Sequence, residues 1–184
     1  MTARIIFLNG VGSAGKSSIA KALQTIASEP YLHVQMDAFI DMLPEAYQEH
    51  PDGFSYETTL ENGKPFVAID TGPIGEKVMR GMRHAIAAMA RQGNNLIIDD
   101  VLCDGGEMPE YRALLSDFRL DIVGIFAPLD VLEARERQRG DRMIGLARWQ
   151  YGRVHRNIHY DLEVDTSKAT PMECATLIRD RFGL

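Results

Sequence analysis

The stretch RIIFLNGVGSAGKSS, residues 4–18, decides how this chain is read. Arg4–Leu8 is a short, mostly apolar run that ends in Asn9-Gly10, the pattern of a buried strand. The next residues, Gly10-Val11-Gly12-Ser13-Ala14-Gly15-Lys16-Ser17, satisfy G-x-x-x-x-G-K-[ST] at every fixed position. Beyond Lys16, apolar residues at 19, 20, 23, 26 and 27 make a helical stripe. Glycines at 10, 12 and 15 permit backbone conformations that a Cβ forbids, so successive N–H groups can turn inward around an anion. The positive end of the following helix adds to that attraction. Gly10, Val11, Gly12, Ser13, Ala14, Gly15, Lys16, Ser17 and Ser18 are therefore expected to bind a nucleoside triphosphate, ATP in the simplest case. Lys16 would reach its β- and γ-phosphates, and the Ser17 hydroxyl would ligate Mg²⁺.

Outward from this loop, strand and helix patterns alternate. Leu32–Met36 reads as a strand and Asp37–Leu43 as a short helix stopped by Pro44. Residues 45–70 carry Pro51, Gly53, Gly63 and Pro65 and read as an irregular insertion, with 44–75 as the region that would meet an acceptor. Gly75–Gln92 is a helix stopped by Gly93, and Leu96–Ile98 a strand running into Asp99-Asp100. Then come a helix over Pro109–Leu115, a strand over Asp121–Phe126, helices over Leu129–Arg139 and Met143–Asn157, a strand over Leu162–Val164 and a closing helix over Pro171–Arg181. This alternation predicts one α/β domain over 1–184, with a central parallel sheet covered by helices on both faces.

Composition agrees. The 184 residues suit a single domain, and 45% hydrophobic with 25% charged residues is ordinary for a globular protein. A net charge of −6 argues against nucleic acid or an anionic membrane as partner. No run approaches the roughly 18–20 apolar residues of a membrane span. Cys103 and Cys174 are too few and too far apart for a disulfide framework, so a cytoplasmic location is expected.

No Asn-Lys-x-Asp sequence specifies guanine, and a chain this short is no motor. A small kinase remains, transferring the γ-phosphoryl group to a small-molecule hydroxyl. Asp37, following a strand, suits a carboxylate that orients such a hydroxyl and takes its proton; capping the next helix is the alternative. Asp99 and Asp100 end a strand, and period-2 alternation turns them to different sides. One would face Mg²⁺, with Asp99 nominated ahead of Asp100. Arg135, Arg139 and Arg142 fall at i, i+4 and i+7, one helical face able to clamp phosphate oxygens, while Arg137 could pair with Glu133. A solvated helix laced with weak ion pairs is the plainer alternative. Met36, Phe39, Met42, Leu43 and Phe54 either line an apolar acceptor pocket or belong to the core. The five histidines show no metal-ligand spacing, and His155 and His159 read as surface or packing residues.

The segments IFLNGVGSAGKS (6–17), MDAFIDMLP (36–44), LIIDDV (96–101), ARERQRGDR (134–142) and HYDLEVDTS (159–167) resemble, in order, the chloramphenicol phosphotransferase-like P-loop kinases. The resemblance implies a fold like that of shikimate and adenylylsulfate kinases, ATP with Mg²⁺, and an O-phosphorylated small molecule as product. It implies Asp37 as the acceptor-activating carboxylate, an Arg-rich lid over 129–145, and passage of residues 165–167 near adenine. Residues 44–75 depart from the family's antibiotic-binding segment, so transfer to a hydroxyl carries over better than chloramphenicol itself. A kinase for nucleotides or other metabolites is a second reading, opposed by the absence of Arg between 37 and 75, where Lys64 stands alone. A non-catalytic ATP-binding switch is a third, and assembly as a homo-oligomer stays open.

Overall fold

The structure, a computed structural model, describes residues 2–140 and 143–184. Its centre is β1 (Arg4–Gly10), in which every residue after Arg4 is buried. On one side lies β5 (Asn95–Asp100) and on the other β6 (Arg119–Phe126), with Phe7 opposite both Ile98 and Ile122. The outer strands are β2 (Tyr31–Gln35) and β7 (Leu162–Asp165), giving a five-stranded order β2-β5-β1-β6-β7. All four pairings are parallel. Strands buried on both faces read as continuous apolar runs, which is why IIFL and LIIDD look as they do.

Two apolar layers follow from alternation along these strands. Ile6, Leu8 and Ile97 pack with Ile19 and Leu23 of α1 (Lys16–Ile26) and Ile178 of α7 (Pro171–Phe182). Ile5, Phe7 and Ile98 pack on the opposite face with Met82 and Ile86 of α3 (Pro73–Arg91) and Tyr111 of α4 (Met108–Leu114). Helix α7 opens on a capping box in which Thr170 and Glu173 satisfy each other's amides. With every central strand pointing the same way, their C-terminal ends gather the loops on one edge, where ligands bind in such sheets.

Three expectations need correction. Residues 45–70 are not irregular: after a single turn at Glu45–Tyr47 they form β3 (Phe54–Glu61), which pairs antiparallel with β4 (Lys64–Thr71). Asn62 and Gly63 make the two-residue connection with φ of 51° and 75°, values that Asn-Gly tolerates and most residues resist. Most of β3 is exposed, so it lacks the buried alternation that marks a strand in sequence. The expected helix 143–157 contracts to α6 (Leu146–Tyr151), since Gly145 at φ 108° precedes it and Gly152 ends it. Finally α2 spans only Met36–Ile40 and not 37–43, while β5 carries Asp99 and Asp100 as its last two residues, as read from the sequence. Helix α5 (Leu129–Arg139) falls where the sequence places it.

Gly10 allows β1 to lie close to β6. A Cβ there would sit 2.6 Å from the Ile125 carbonyl oxygen, a backbone atom with little room to yield. Gly10→Ala should therefore lower global stability by roughly 1–3 kcal/mol, read as a reduced urea midpoint.

Candidate active site

Between β1 and α1 the chain turns through Ser13 at φ 64° and Gly15 at φ 96°. Helix α1 has no side-chain cap and no acid in its first turn, so its leading amides and dipole face outward to any anion placed there. Lys16 folds back over the turn. Its Nζ donates to the carbonyl oxygens of Gly10 at 2.9 Å and Val11 at 3.3 Å, and lies 3.8 Å from Asp99 Oδ1.

Asp99 is the acid that β5 delivers to this loop. The Ser17 hydroxyl donates to its Oδ2 at 2.6 Å, and His33 Nε2 stands 3.3 Å from the same oxygen. Burial would raise the pKa of Asp99, but the His33 contact, the Lys16 charge and the Ser17 bond together hold it below the usual carboxylate range. Asp100 turns the other way, as strand geometry requires. It accepts from the Tyr111 hydroxyl and the Val101 amide, both at 2.7 Å, and burial raises its pKa. The structure thus brings Asp99, and not Asp100, to Ser17. His33 joins the cluster through the third dimension, and no spacing in the sequence signals it.

Asp37 lies in the first turn of α2 and lines the same cavity as Gly12, Lys16, Ser17, Asp99 and Arg139. A second cavity lies on the other side of the loop, against Ser13, Gly15, Ser18, Arg135 and Thr166. Here Arg135 departs from expectation: it donates to Thr166 Oγ1 at 2.9 Å and Thr166 O at 2.8 Å, while Thr166 Oγ1 donates to Ala14 O at 2.9 Å. Arg135 therefore braces the back of the phosphate loop against the segment after β7. Arg139 lines both cavities. Arg142 lies outside the described residues.

The pairing of Arg137 with Glu133 is not observed. Glu133 instead pairs with Arg148 of α6 and lies 3.7 Å from Lys64 at the hairpin tip, while Arg137 is exposed. Glu136, only 3% exposed, accepts from the amides of Gly145 at 2.8 Å and Ala147 at 2.7 Å and so caps α6. In this Arg-rich helix Glu133 and Glu136, not the arginines, are turned inward.

A third cavity of about 170 Å³ shares Met36, Tyr56, Ile69 and Gln150 with the cavity that Asp37 lines, and is walled further by Phe54, Met79 and Trp149, with Asp100 among its polar lining. Of the apolar residues singled out in the sequence, Met36 and Phe54 reach it. Phe39 packs on the core under α3, Leu43 is buried, and Met42 is 69% exposed. Gln150 also touches the phosphate loop, its Oε1 accepting from the Gly12 amide at 2.7 Å. Among the described residues no group of three or more His, Cys, Asp or Glu side chains forms a metal cage, and no helix is long and apolar enough to cross a membrane.

Behind the loop Asn9 joins three segments. Its Nδ2 donates to Val154 O at 2.8 Å and to the Tyr160 hydroxyl at 2.7 Å, and its Oδ1 accepts from the Leu102 amide at 2.9 Å. His155 stacks on Phe126 with ring centroids 3.8 Å apart and shares a 2.7 Å hydrogen bond with Tyr160. Burial, with the nearby Lys16 charge, lowers the His155 pKa to about 4, so the ring is neutral at neutral pH.

Against known proteins, the family described as chloramphenicol phosphotransferase-like protein matches residues 3–183. A Mycobacterium tuberculosis (strain ATCC 25618 / H37Rv) protein named "Putative O-phosphotransferase" is 32% identical over 174 residues, covering 92% of this chain and 77% of that protein. In fold, the chain is similar to the M. tuberculosis APS kinase solved with AMPPNP and APS, with TM-score 0.68, 14% identity, and coverage of 100% of this chain and 99% of that one. The Deinococcus radiodurans tunicamycin resistance protein is similar at TM-score 0.66 and 17% identity, over 99% and 96% of the two chains.

His155 also sets an expectation for acid. Its folded pKa lies below the unfolded value near 6.5, so the unfolded chain binds more protons between pH 6.5 and about 4. The stability it contributes is complete above pH 6.5 and is lost as pH falls toward 4. His155→Gln, which can keep a bond to Tyr160 without titrating, should show a flatter decline of urea midpoint from pH 7 to pH 4.5 than the unsubstituted protein.

Proposed function

The chain belongs to the chloramphenicol phosphotransferase-like family, whose members are kinase-like phosphotransferases, and we propose that it transfers the γ-phosphoryl group of ATP to a hydroxyl of a small, largely apolar molecule. The observation that carries this reading is the shared wall: Asp37 and the phosphate loop line one cavity, and that cavity opens on the apolar one walled by Met36, Phe54 and Trp149.

In this reading the inward amides between Gly10 and Ser18 and the Lys16 ammonium hold the β- and γ-phosphates. Lys16 exchanges its present carbonyl partners for phosphate oxygens. Arg139 sits at the junction of the nucleotide cavities, where a guanidinium can neutralise charge on the transferred group. Asp37 orients the acceptor hydroxyl and takes its proton as the new O–P bond forms and the bond to the departing ADP oxygen breaks. Its resting basicity need not match an alcohol's, because that proton turns acidic only late in the transfer. The apolar walls desolvate the acceptor and keep water from competing as nucleophile.

Ser17 and Asp99 suit Mg²⁺, a hard cation that takes one or two protein oxygens and completes its shell from phosphate and water. The lowered pKa of Asp99 keeps that oxygen anionic at working pH. When bound there, the ion would offset the negative charge of the triphosphate.

The acceptor cavity argues against a phosphorylated acceptor. Arg83 is its one described cationic lining residue, and the Arg83 Nε is already held by Glu110 Oε2 at 2.5 Å. Asp37→Asn should leave ATP affinity within about twofold and reduce turnover by roughly 10²–10⁴-fold, measured by ADP release with a panel of apolar alcohols. Unchanged turnover in that variant would remove Asp37 from the chemistry, and transfer only to nucleoside monophosphates would overturn the acceptor class.

A further inference from the structure

Gln150 sits where two cavities meet. It lines the phosphate cavity and the apolar acceptor cavity, and it is only 4% exposed. The Gly12 amide is a donor, so the carboxamide must present Oε1 to it, and the 2.7 Å contact does so. The opposite half of the carboxamide, Nε2, is then left on the cavity side, with no hydrogen bond to a described residue. A Cβ at Gly12 would lie 3.1 Å from Gln150 Oε1, so the loop and this side chain are in close fit.

The order of residues along the groove says which phosphate this position meets. The cavity on the Thr166 side shares Ser13, Gly15 and Ser18 with the cavity that Asp37 lines, but reaches neither Gly12 nor Gln150. Gly12 and Gln150 lie at the other end, beside Asp37 and the acceptor cavity. A triphosphate with its nucleoside on the Thr166 side therefore brings its terminal phosphoryl group to Gly12. A diphosphate ends short of it. Gln150 Oε1 and a γ-phosphate oxygen compete for the same N–H.

Resting on the phosphotransferase reading above, we propose that Gln150 is a positioning residue that makes this site discriminate a nucleoside triphosphate from a diphosphate. In the empty enzyme it holds the Gly12 amide in its inward orientation. The terminal phosphoryl group displaces Oε1 from Gly12, and the freed carboxamide turns its Nε2 toward the acceptor oxygen. After transfer no γ-phosphate remains, and Oε1 recaptures the Gly12 amide while ADP is still bound. Glu136 supports the arrangement by fixing the first turn of α6, the helix that carries Gln150.

The test is calorimetric titration of the full chain with ATP and with ADP, each with Mg²⁺. Gln150→Glu places a carboxylate against the terminal phosphate and grips Gly12 more strongly. It should weaken ATP by at least about tenfold while ADP stays within about twofold of the unsubstituted protein. Gln150→Ala removes the competitor, so ATP should bind as tightly or more tightly, whereas the acceptor KM rises or kcat falls. A purely structural role would instead weaken both nucleotides together, and parallel losses in the Glu variant overturn the proposal. So does a Gln150→Ala protein that binds ADP normally but ATP more weakly. ADP binding itself reports that each variant is folded, and if the Glu variant fails to fold, the Ala variant decides. An unsubstituted protein that binds neither nucleotide overturns the phosphotransferase reading and this inference with it; one that binds both while Gln150→Glu leaves the ratio unchanged overturns the role of Gln150 alone.

Discussion

A buried ammonium beside a buried carboxylate is the constraint around which this molecule is arranged. Lys16 is 7% exposed and Asp99 6%, and their charged atoms approach to 3.8 Å. Neither charge would be tolerated at such depth without the other and without hydrogen bonds to spare. The Lys16 ammonium has two carbonyl partners, while the Asp99 carboxylate has Ser17 and His33. This cluster requires β1 and β5 to be adjacent and parallel with Leu8 opposite Asp99, since that register sets the carboxylate beside the first turn of α1. The topology of the sheet is in this sense what the site needs: two strand ends that are distant in sequence, brought level. The arrangement also leaves the lysine with carbonyl partners that a phosphate can replace, so the charge is held in place without being committed.

Much of this was legible in the sequence, and the reasons differ from element to element. The phosphate loop was readable because its chemistry needs fixed residue types at fixed spacing within a single local segment. The central strands were readable because burial on both faces leaves only apolar residues at most positions. The order of the strands was not, since it depends on contacts between distant segments. Asp99 and Asp100 show the limit well. Alternation says that they diverge but not which one faces Ser17; that depends on how β5 packs, with Tyr111 of α4 claiming Asp100 on one face and Ser17 claiming Asp99 on the other. The hairpin had a local signal, Asn62-Gly63 between β-prone runs, that outward-facing polar residues obscured. His33 and Gln150 had none. Each acts through a single contact made across more than 60 positions of sequence, between His33 and Asp99 and between Gly12 and Gln150.

The arginine-rich segment carries a different lesson. Helical spacing alone placed Arg135 and Arg139 on one face, and they do line cavities at the nucleotide end. Yet Arg135 spends its guanidinium on Thr166, whose hydroxyl in turn bonds the Ala14 carbonyl inside the phosphate loop. A planar fork that reaches a hydroxyl and a carbonyl together fixes the angle between α5 and the loop more tightly than a single contact could. What charge counting reads as a phosphate clamp is, for this residue, a brace that also edges the second cavity. The helix's role rests instead on two of its three acids, Glu133 and Glu136, which the structure buries, and burial of a carboxylate demands a partner.

Those two acids tie α5 to α6 and the hairpin. Glu133 faces Arg148 of α6 and Lys64 of the hairpin, but Lys64 is 63% exposed, and an ion pair so open to water contributes little. The Glu136 carboxylate, by contrast, is nearly inaccessible and takes two amide hydrogens at the start of α6, the kind of charge-assisted bond that holds its geometry. The Gly145 carbonyl at the same turn accepts from the Val67 amide of β4 at 3.1 Å, so the hairpin hangs from this point too. A side chain at Gly145 would clash with the Pro65 backbone at 2.6 Å, which keeps the joint tight. Helix α5, helix α6 and the hairpin therefore share one anchored corner. Arg139, at the end of α5, lines the two cavities that flank the phosphate loop; Trp149 and Gln150 of α6, with Tyr56 and Ile69 of the hairpin, wall the apolar cavity. Helix α5 is thus joined to the walls of the apolar cavity through the Glu136 carboxylate, the contact in this corner least open to water.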